Sequence, residues 1–387
     1  MKIGIFTFHR SINYGAFMQA FSLSRKIAKR FPEAKVEIID YTSAVMEAVY
    51  RPKFNLSLIK HPIIWNLKKE QYKKFKQALN ALVLSEKKLC NDVNTKSVLA
   101  QYQDDYDIFI VGSDAVWNWI KRGFPNPYLM NFEKPVVKMS YAASAYGMDP
   151  RYVGDKEREY FAESLKKFTF IGVRDQYTTD LVMDVCPTAQ PIYTCDPTVF
   201  LDLQDVYNHL GMTKEQFSKY ILKKYKIDSN KKIIGIMGVP AELTKKIKQK
   251  LGESYVLVGL YNYCKGADRQ LIDLSPLEWA AIFGLFDATV STYFHGTLLS
   301  LRHYTPIINM DFTPFSKKNE GKIHDVMRRM NLLECYFESR DDYENIADKV
   351  KEVVKSRQAY SERIYKNIEN LRKSSEAFFE KLGELIK

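Results

Sequence analysis

The sequence is short of everything that builds a cross-linked or metal-stapled protein. It holds five cysteines, Cys90, Cys186, Cys195, Cys264 and Cys335, among 387 residues. Their number is odd, their spacing is wide and there is no CxxC pair, so they read as reduced thiols of a cytoplasmic chain. No carboxylate–histidine cluster has ligand spacing, and the expectation is no metal and no bound cofactor. There is no run of about 18 apolar residues, which excludes a transmembrane helix. Met1–Phe8 enters a strand-like run directly, with no cleavable signal in it. Zinc-finger spacings, RNA-binding signatures, short repeats and low-complexity tracts are also missing.

What is present is charge and pattern. The formal net charge is +12, with 58 Lys and Arg against 46 Asp and Glu. Such a surplus suits an anionic partner: nucleic acid, an acidic membrane surface or a phosphorylated substrate. The positive residues are spread over the chain without a nucleic-acid motif, so no nucleic acid is expected. A hydrophobic fraction of 46% supports a large core, and the length exceeds what one core usually fills, so two domains are the default.

Strand-like runs alternate with helical patterns. Lys2–Phe8 reads as a strand, Phe17–Ala28 as a helix and Val36–Ile39 as a strand. Further strands are expected at Asp107–Val111, Val136–Ala142, Phe168–Val173 and Ile192–Cys195. A polar, lysine-rich stretch runs from Asp202 to Lys232, after which the pattern restarts. Strands are expected at Ile233–Met237, Tyr255–Leu260, Ala288–Tyr293 and Ile307–Met310, with helices at Ala241–Leu251, Pro276–Phe286 and His295–Arg302. The class is α/β, with parallel sheets covered by helices in two similar domains. The boundaries are drawn at 1–205 and 206–345, with 346–387 as a C-terminal helix returning to the first domain.

Arg51–Leu82 departs from this pattern. Trp65, Tyr72, Phe75, Leu79 and Leu82 fall near one helical face, accompanied by Lys68, Lys69, Lys73, Lys74 and Lys76. The segment is either a surface helix with a solvated basic face or a peripheral contact with an anionic membrane.

In parallel sheets, ligands sit beyond the carboxyl ends of the strands, and four such loops carry chemistry. In the first, Asn13-Tyr14-Gly15 enters a helix; it is either an anion-binding helix start or a plain turn. In Gly112-Ser113-Asp114, followed by Trp117, the carboxylate can orient or deprotonate a hydroxyl, or merely cap the next helix. Arg174 follows a strand, where a guanidinium suits carboxylate or phosphate; the bland alternative is a surface pair with Asp175 or a helix cap. Ser291–Thr297 turns from strand to helix at His295, Gly296 and Thr297. That helix start faces an anion, and a protonated His295 can bind it or donate a proton.

Taken in order, six pieces resemble the polysaccharide pyruvyl transferase family. They are Asn13–Ala16 with Gln19, Val111–Asp114 with Val116–Asn118, Ser140–Ser144, Val173–Asp175, Asp196–Thr198 and Phe294–Thr297. Two departures are Ala115 after Gly-Ser-Asp, and Thr292-Tyr293 before Phe-His-Gly. The resemblance implies two Rossmann-like domains with a cleft between them, a GT-B-like fold. It implies transfer of the pyruvyl group of phosphoenolpyruvate to two hydroxyls of a sugar, forming a cyclic ketal and phosphate. The acceptor would be a surface polysaccharide or its lipid-linked oligosaccharide precursor. Arg174 and His295 match the family's donor-binding residues, and Asp114 is the candidate base. Lys317 or Lys318 is a further candidate cation for the donor. Ser113, Trp117, Gly296 and Thr297 complete the expected site, with Asn13, Tyr14 and Gly15. The alternatives are a nucleotide-sugar glycosyltransferase of the same architecture and a non-catalytic sugar- or anion-binding relative.

Overall fold

Apolar runs without polar alternation make strands that are buried on both faces. Lys2–Phe6 (β1) shows the effect: Ile3, Gly4, Ile5 and Phe6 are all buried. In the computed structural model, which describes residues 1–43, 62–90, 95–148, 153–311, 321–338 and 343–387, such strands build two parallel sheets. Contacts divide the chain into two units.

Unit 1 comprises residues 1–51, 79–201 and 372–387. With β1 its strands are Lys35–Thr42 (β2), Leu84–Cys90 (β3), Ile108–Val111 (β4), Val137–Ala143 (β5), Phe170–Val173 (β6) and Ile192–Tyr193 (β7). The order is β3-β2-β1-β4-β5-β6-β7. Consecutive strands run outward from β1 to β3, then the chain crosses back so that β4 pairs with β1. The order reverses between β1 and β4, and ligands bind in the crevice at such a point.

Unit 2 comprises residues 52–78 and 202–371. Its strands are Lys232–Met237 (β8), Tyr255–Leu260 (β9), Arg269–Leu271 (β10), Ala288–Ser291 (β11), Ile307–Met310 (β12) and Tyr336–Phe337 (β13). The order β10-β9-β8-β11-β12-β13 repeats the scheme, with its reversal between β8 and β11.

Three expectations need correction. The polar stretch after Asp202 holds two helices, Leu203–Leu210 and Lys214–Lys224; each buries only two side chains, which leaves a thin apolar signal. Residues 343–371 belong to unit 2, and only Arg372–Lys387 returns to unit 1. There the helix Glu376–Ile386 buries Phe378 against Tyr141 and Phe170 in edge contacts. The first domain is also not one continuous segment. The helix Pro62–Ala78 (α1) belongs to unit 2, buries Phe75, and spends Lys74 on Glu278 at 2.9 Å. The part of the basic segment before Pro62 lies outside the described residues.

Unit 1 encloses one amine in its core. Lys138 on β5 is buried and donates to the Met130 carbonyl at 2.7 Å and to Ser164 Oγ at 3.1 Å. Burial pushes its pKa down to about 7, helped by Lys167. The unfolded chain keeps this proton up to about pH 10.4, so it binds more protons than the folded chain across that interval. Stability from this group therefore rises with pH from about 7 upward. Urea denaturation between pH 7 and 10 should show the rise in the wild type and its loss in Lys138→Met; an equal rise in both would refute the assignment.

Candidate functional site

The unit 1 switch point is built from the ends of β1, β4, β5, β6 and β7. After β1, Asp40 at the far end of β2 fixes the loop: it accepts from His9 Nε2 at 3.0 Å and from both arms of Arg10. Burial alone would raise the Asp40 pKa, and the bonds from Arg10 and His9 instead hold it well below the ordinary range. Asn13 then caps the helix Tyr14–Arg30 (α2), its Oδ1 accepting from Gly15 N at 2.9 Å and Ala16 N at 3.4 Å. The amides of Gly15 and Ala16 are thus taken by the Asn13 cap. Tyr14 is 1% exposed and so is closed to substrate.

After β4, Gly112 has φ of +118°, and a Cβ there would run into the Tyr141 carbonyl oxygen. The next two residues are set by this turn. Ser113 is buried. Asp114 is held at φ of +86°, a conformation costing on the order of 1–3 kcal/mol in a non-glycine residue. Its carbonyl accepts from Ser144 N at 2.9 Å and its Oδ1 from Ala115 N at 2.7 Å. Asp114 does not cap the following helix, Trp119–Arg122, and its side chain stays 18% exposed. Trp117 is a further correction: it is fully buried, edge-on to Phe161 at 5.2 Å and Phe168 at 6.0 Å, as part of the core.

Arg174 follows β6 and is 3% exposed. Its Nη1 donates to Asp196 Oδ2 at 3.3 Å, and its Nη2 lies 3.7 Å from Asp114 Oδ1. Burial alone would lower the Arg174 pKa; Asp114, Asp196 and Asp175 outweigh it and raise it. Asp196 is fixed in turn by Gln19 Nε2 at 2.6 Å and Thr198 N at 3.0 Å. Asp175 is not the partner of a surface pair; it caps the helix Gln176–Val185 and accepts from Ser144 Oγ at 2.6 Å. One guanidinium thus stands between two carboxylates, and the trio is net negative. Two carboxylates therefore already lie beside the guanidinium expected to bind the donor.

Removing one member of a buried charge pair typically costs about 3–5 kcal/mol. Arg174→Met should destabilise unit 1 by about that much, read as a drop in the chemical denaturation midpoint. An unchanged midpoint would show that the carboxylates do not depend on Arg174.

Unit 2 assembles a different site between β8 and β11. Ser291 ends β11, and its Oγ accepts from Tyr293 N at 2.9 Å. The helix Phe294–Arg302 (α3) starts there, and no side chain caps its amino end. Gly296 is required by packing, since a Cβ would lie 2.7 Å from Ser291 Oγ and would strike the Met237 side chain. Thr297 is buried and donates to Asn309 Oδ1 at 2.8 Å, so its side chain binds the sheet and not a ligand. His295 is half-buried on the first turn, beside the Phe294 ring. Lys317 and Lys318 lie outside the described residues. A lysine not singled out in the sequence, Lys322, stands 4.9 Å over the Phe294 ring. Among the described residues, no group of three or more His, Cys, Asp or Glu side chains is placed to hold a metal.

Both switch points carry the motifs in the order read from the sequence, and the family model named polysaccharide pyruvyl transferase matches residues 13–312. The chain belongs to the polysaccharide pyruvyl transferase family. A search of curated proteins with the sequence finds no match. Among solved structures, UDP-GlcNAc 2-epimerase from Neisseria meningitidis, bound to UDP-GlcNAc, aligns with a TM-score of 0.60 at 11% identity, covering 99% of this chain and 100% of that one. Another UDP-N-acetylglucosamine 2-epimerase aligns at 0.53 and 10% identity, over 98% and 94%. The wall teichoic acid polymerase TagF aligns at 0.49 and 13%, over 99% and 88%. At these identities the epimerases are similar in fold, the GT-B-like pairing of two parallel sheets. No described helix is long and apolar enough to cross a membrane.

Proposed function

We propose that this member of the family transfers the pyruvyl group of phosphoenolpyruvate to two hydroxyls of one sugar, in a surface polysaccharide or its lipid-linked precursor. The observation that carries the reading is the start of α3 at the β8/β11 reversal. It presents a helix amino end without a side-chain cap, with His295 on its first turn. Helix amino ends favour phosphate through their N–H groups and dipole. This is the donor side of the reading.

The chemistry balances without a cofactor. A proton reaches the methylene carbon of the donor, which becomes the methyl group, and the first hydroxyl adds to the resulting cationic carbon. The phosphate oxygen then leaves, the second hydroxyl adds, and two C–O bonds close the ketal. One hydroxyl proton is matched by the proton on the methyl carbon and the other leaves with phosphate. His295 serves as the acid for the methylene or as the ligand of the phosphate. Asp114 takes a proton from the acceptor. Its carboxylate is the exposed member of the Arg174 trio, and Arg174, itself paired with Asp196, lies behind it. Arg174 is thus a positioning residue for the acceptor side. A lipid-linked acceptor would bring the protein to an anionic surface. The exposed lysines Lys69, Lys73 and Lys76 of α1 are the residues suited to meet it.

Incubation with phosphoenolpyruvate and candidate lipid-linked sugars should release inorganic phosphate and add the mass of pyruvate less one water to the acceptor. His295→Ala should lower turnover by about 10² to 10⁴-fold. Consumption of a nucleotide sugar in place of phosphoenolpyruvate would move the assignment to a glycosyltransferase. Phosphate release unaffected by His295→Ala would remove the donor site from α3.

A further inference from the structure

Among the described residues, one half-buried cation of unit 2 belongs to no ion pair. Lys68, on the face of α1 turned toward the sheet, donates from Nζ to the Tyr261 carbonyl at 2.7 Å, to Asn262 Oδ1 at 2.7 Å and to Gln71 Oε1 at 2.9 Å. It also lies 5.1 Å over the Tyr261 ring. All of these partners are neutral, and no carboxylate among the described residues reaches it. The neighbouring helix Pro276–Ile282 does carry Glu278, but Lys74 at 2.9 Å and Tyr220 at 3.3 Å occupy that carboxylate. The remaining titratable groups near Lys68 are the Cys264 thiol and the Tyr293 phenol, and burial raises the pKa of both. A cation held by dipoles alone leaves its charge to act on whatever binds nearby.

Its position is at the switch point. Tyr261 and Asn262 directly follow β9, which neighbours β8, which in turn neighbours β11. Strand spacing puts the ends of β9 and β11 about 10 Å apart. The gap is bridged, because Asn262 Nδ2 donates to Tyr293 Oη at 2.9 Å, and the Tyr293 ring stands edge-on to Tyr261. Tyr293 is the residue from which α3 starts, one before Phe294 and two before His295. A hydrogen-bonded chain therefore runs from the Lys68 amine through the Asn262 amide to the start of the α3 helix.

We propose that Lys68 is a positioning residue of the donor site, holding Asn262 and through it Tyr293 at the start of α3, and supplying a positive charge that helps retain an anionic donor carrying phosphate and carboxylate. This rests on the assignment of α3 to the donor. It also gives a use to Tyr293. The amine lies on a helix that enters unit 2 from the first third of the chain. Burial lowers its pKa to about 8. The charge is present at neutral pH and is lost as pH rises through that value.

The test reads the Michaelis constant for phosphoenolpyruvate by phosphate release, with calorimetric binding of phosphoenolpyruvate alone, from pH 6.5 to 9.5. The wild type should bind the donor and lose affinity as pH passes about 8. Lys68→Met should raise KM at least about tenfold at pH 7, with a smaller change in kcat, and should flatten the alkaline loss. Asn262→Asp keeps Lys68 and its contact but neutralises the charge, so it should also raise KM at pH 7. It should move the remaining pH dependence upward, because a carboxylate beside the amine raises its pKa. If Lys68→Met fails to fold by circular dichroism, Asn262→Asp decides the question. Wild-type donor binding with KM and pH profile unchanged in the folded variants would overturn the role of Lys68 alone. No binding of phosphoenolpyruvate by the wild type would overturn the donor assignment together with it.

Discussion

The arrangement of unit 1 depends on the buried guanidinium of Arg174. A cation in a protein interior is tolerated only when its charge and its hydrogen-bond donors are matched. Asp196 and Asp114 balance its charge, and Asp196 also accepts one of its hydrogen bonds; each brings a strand end with it, since Asp196 follows β7 and Asp114 follows β4. Gln19, on the first helix, reaches Asp196 as well, so β1's connection joins the same network. The left-handed backbone of Asp114 is costly by itself and persists because the bonds to Ser144 N and Ala115 N over-determine it. The outcome is one carboxylate oriented toward solvent from a rigid, charge-balanced base.

Unit 2 solves a different problem with the same topology. Among the described residues it has no buried Arg at its switch point. The α3 helix lies so close to the strands that a Cβ at position 296 would displace the Met237 and Ser291 side chains, and the helix dipole is delivered at the strand ends. Neutral hydrogen bonds, from Thr297 to Asn309 and from Asn262 to Tyr293, hold the turn in place. The two units thus carry complementary electrostatics, a net-negative trio in unit 1 and a helix amino end with a nearby lysine in unit 2.

Much of this was legible before any coordinates. Parallel strands buried on both faces write themselves as unbroken apolar runs, so β1, β4, β8, β9 and β12 fall where the sequence places them, within a residue or two. The helices at Leu203–Leu210 and Lys214–Lys224 were not legible, because two buried side chains each make too weak a period. Asn13, Gly15, Trp117 and Thr297 carry family motifs, yet the structure uses them as a helix cap, a capped amide, a core aromatic and a strap to the sheet. A motif records that a residue is required, and packing requires residues as strictly as chemistry does.

By itself the sequence determined the α/β class, the two-unit organisation, the family and the strand-end loops that carry polar residues. These follow from local periodicity and from short motifs, which need no knowledge of distant neighbours. Only the tertiary structure decided the partners. Arg174 and Asp196 are 22 residues apart, Gln19 and Asp196 are 177 apart, and Lys68 and Asn262 are 194 apart. Whether Arg174 meets one carboxylate or two, and whether a lysine on a basic helix faces solvent or the turn that follows β9, depends on which chain segments meet. Charge and hydrogen-bond satisfaction are settled between those segments, at separations no local pattern spans.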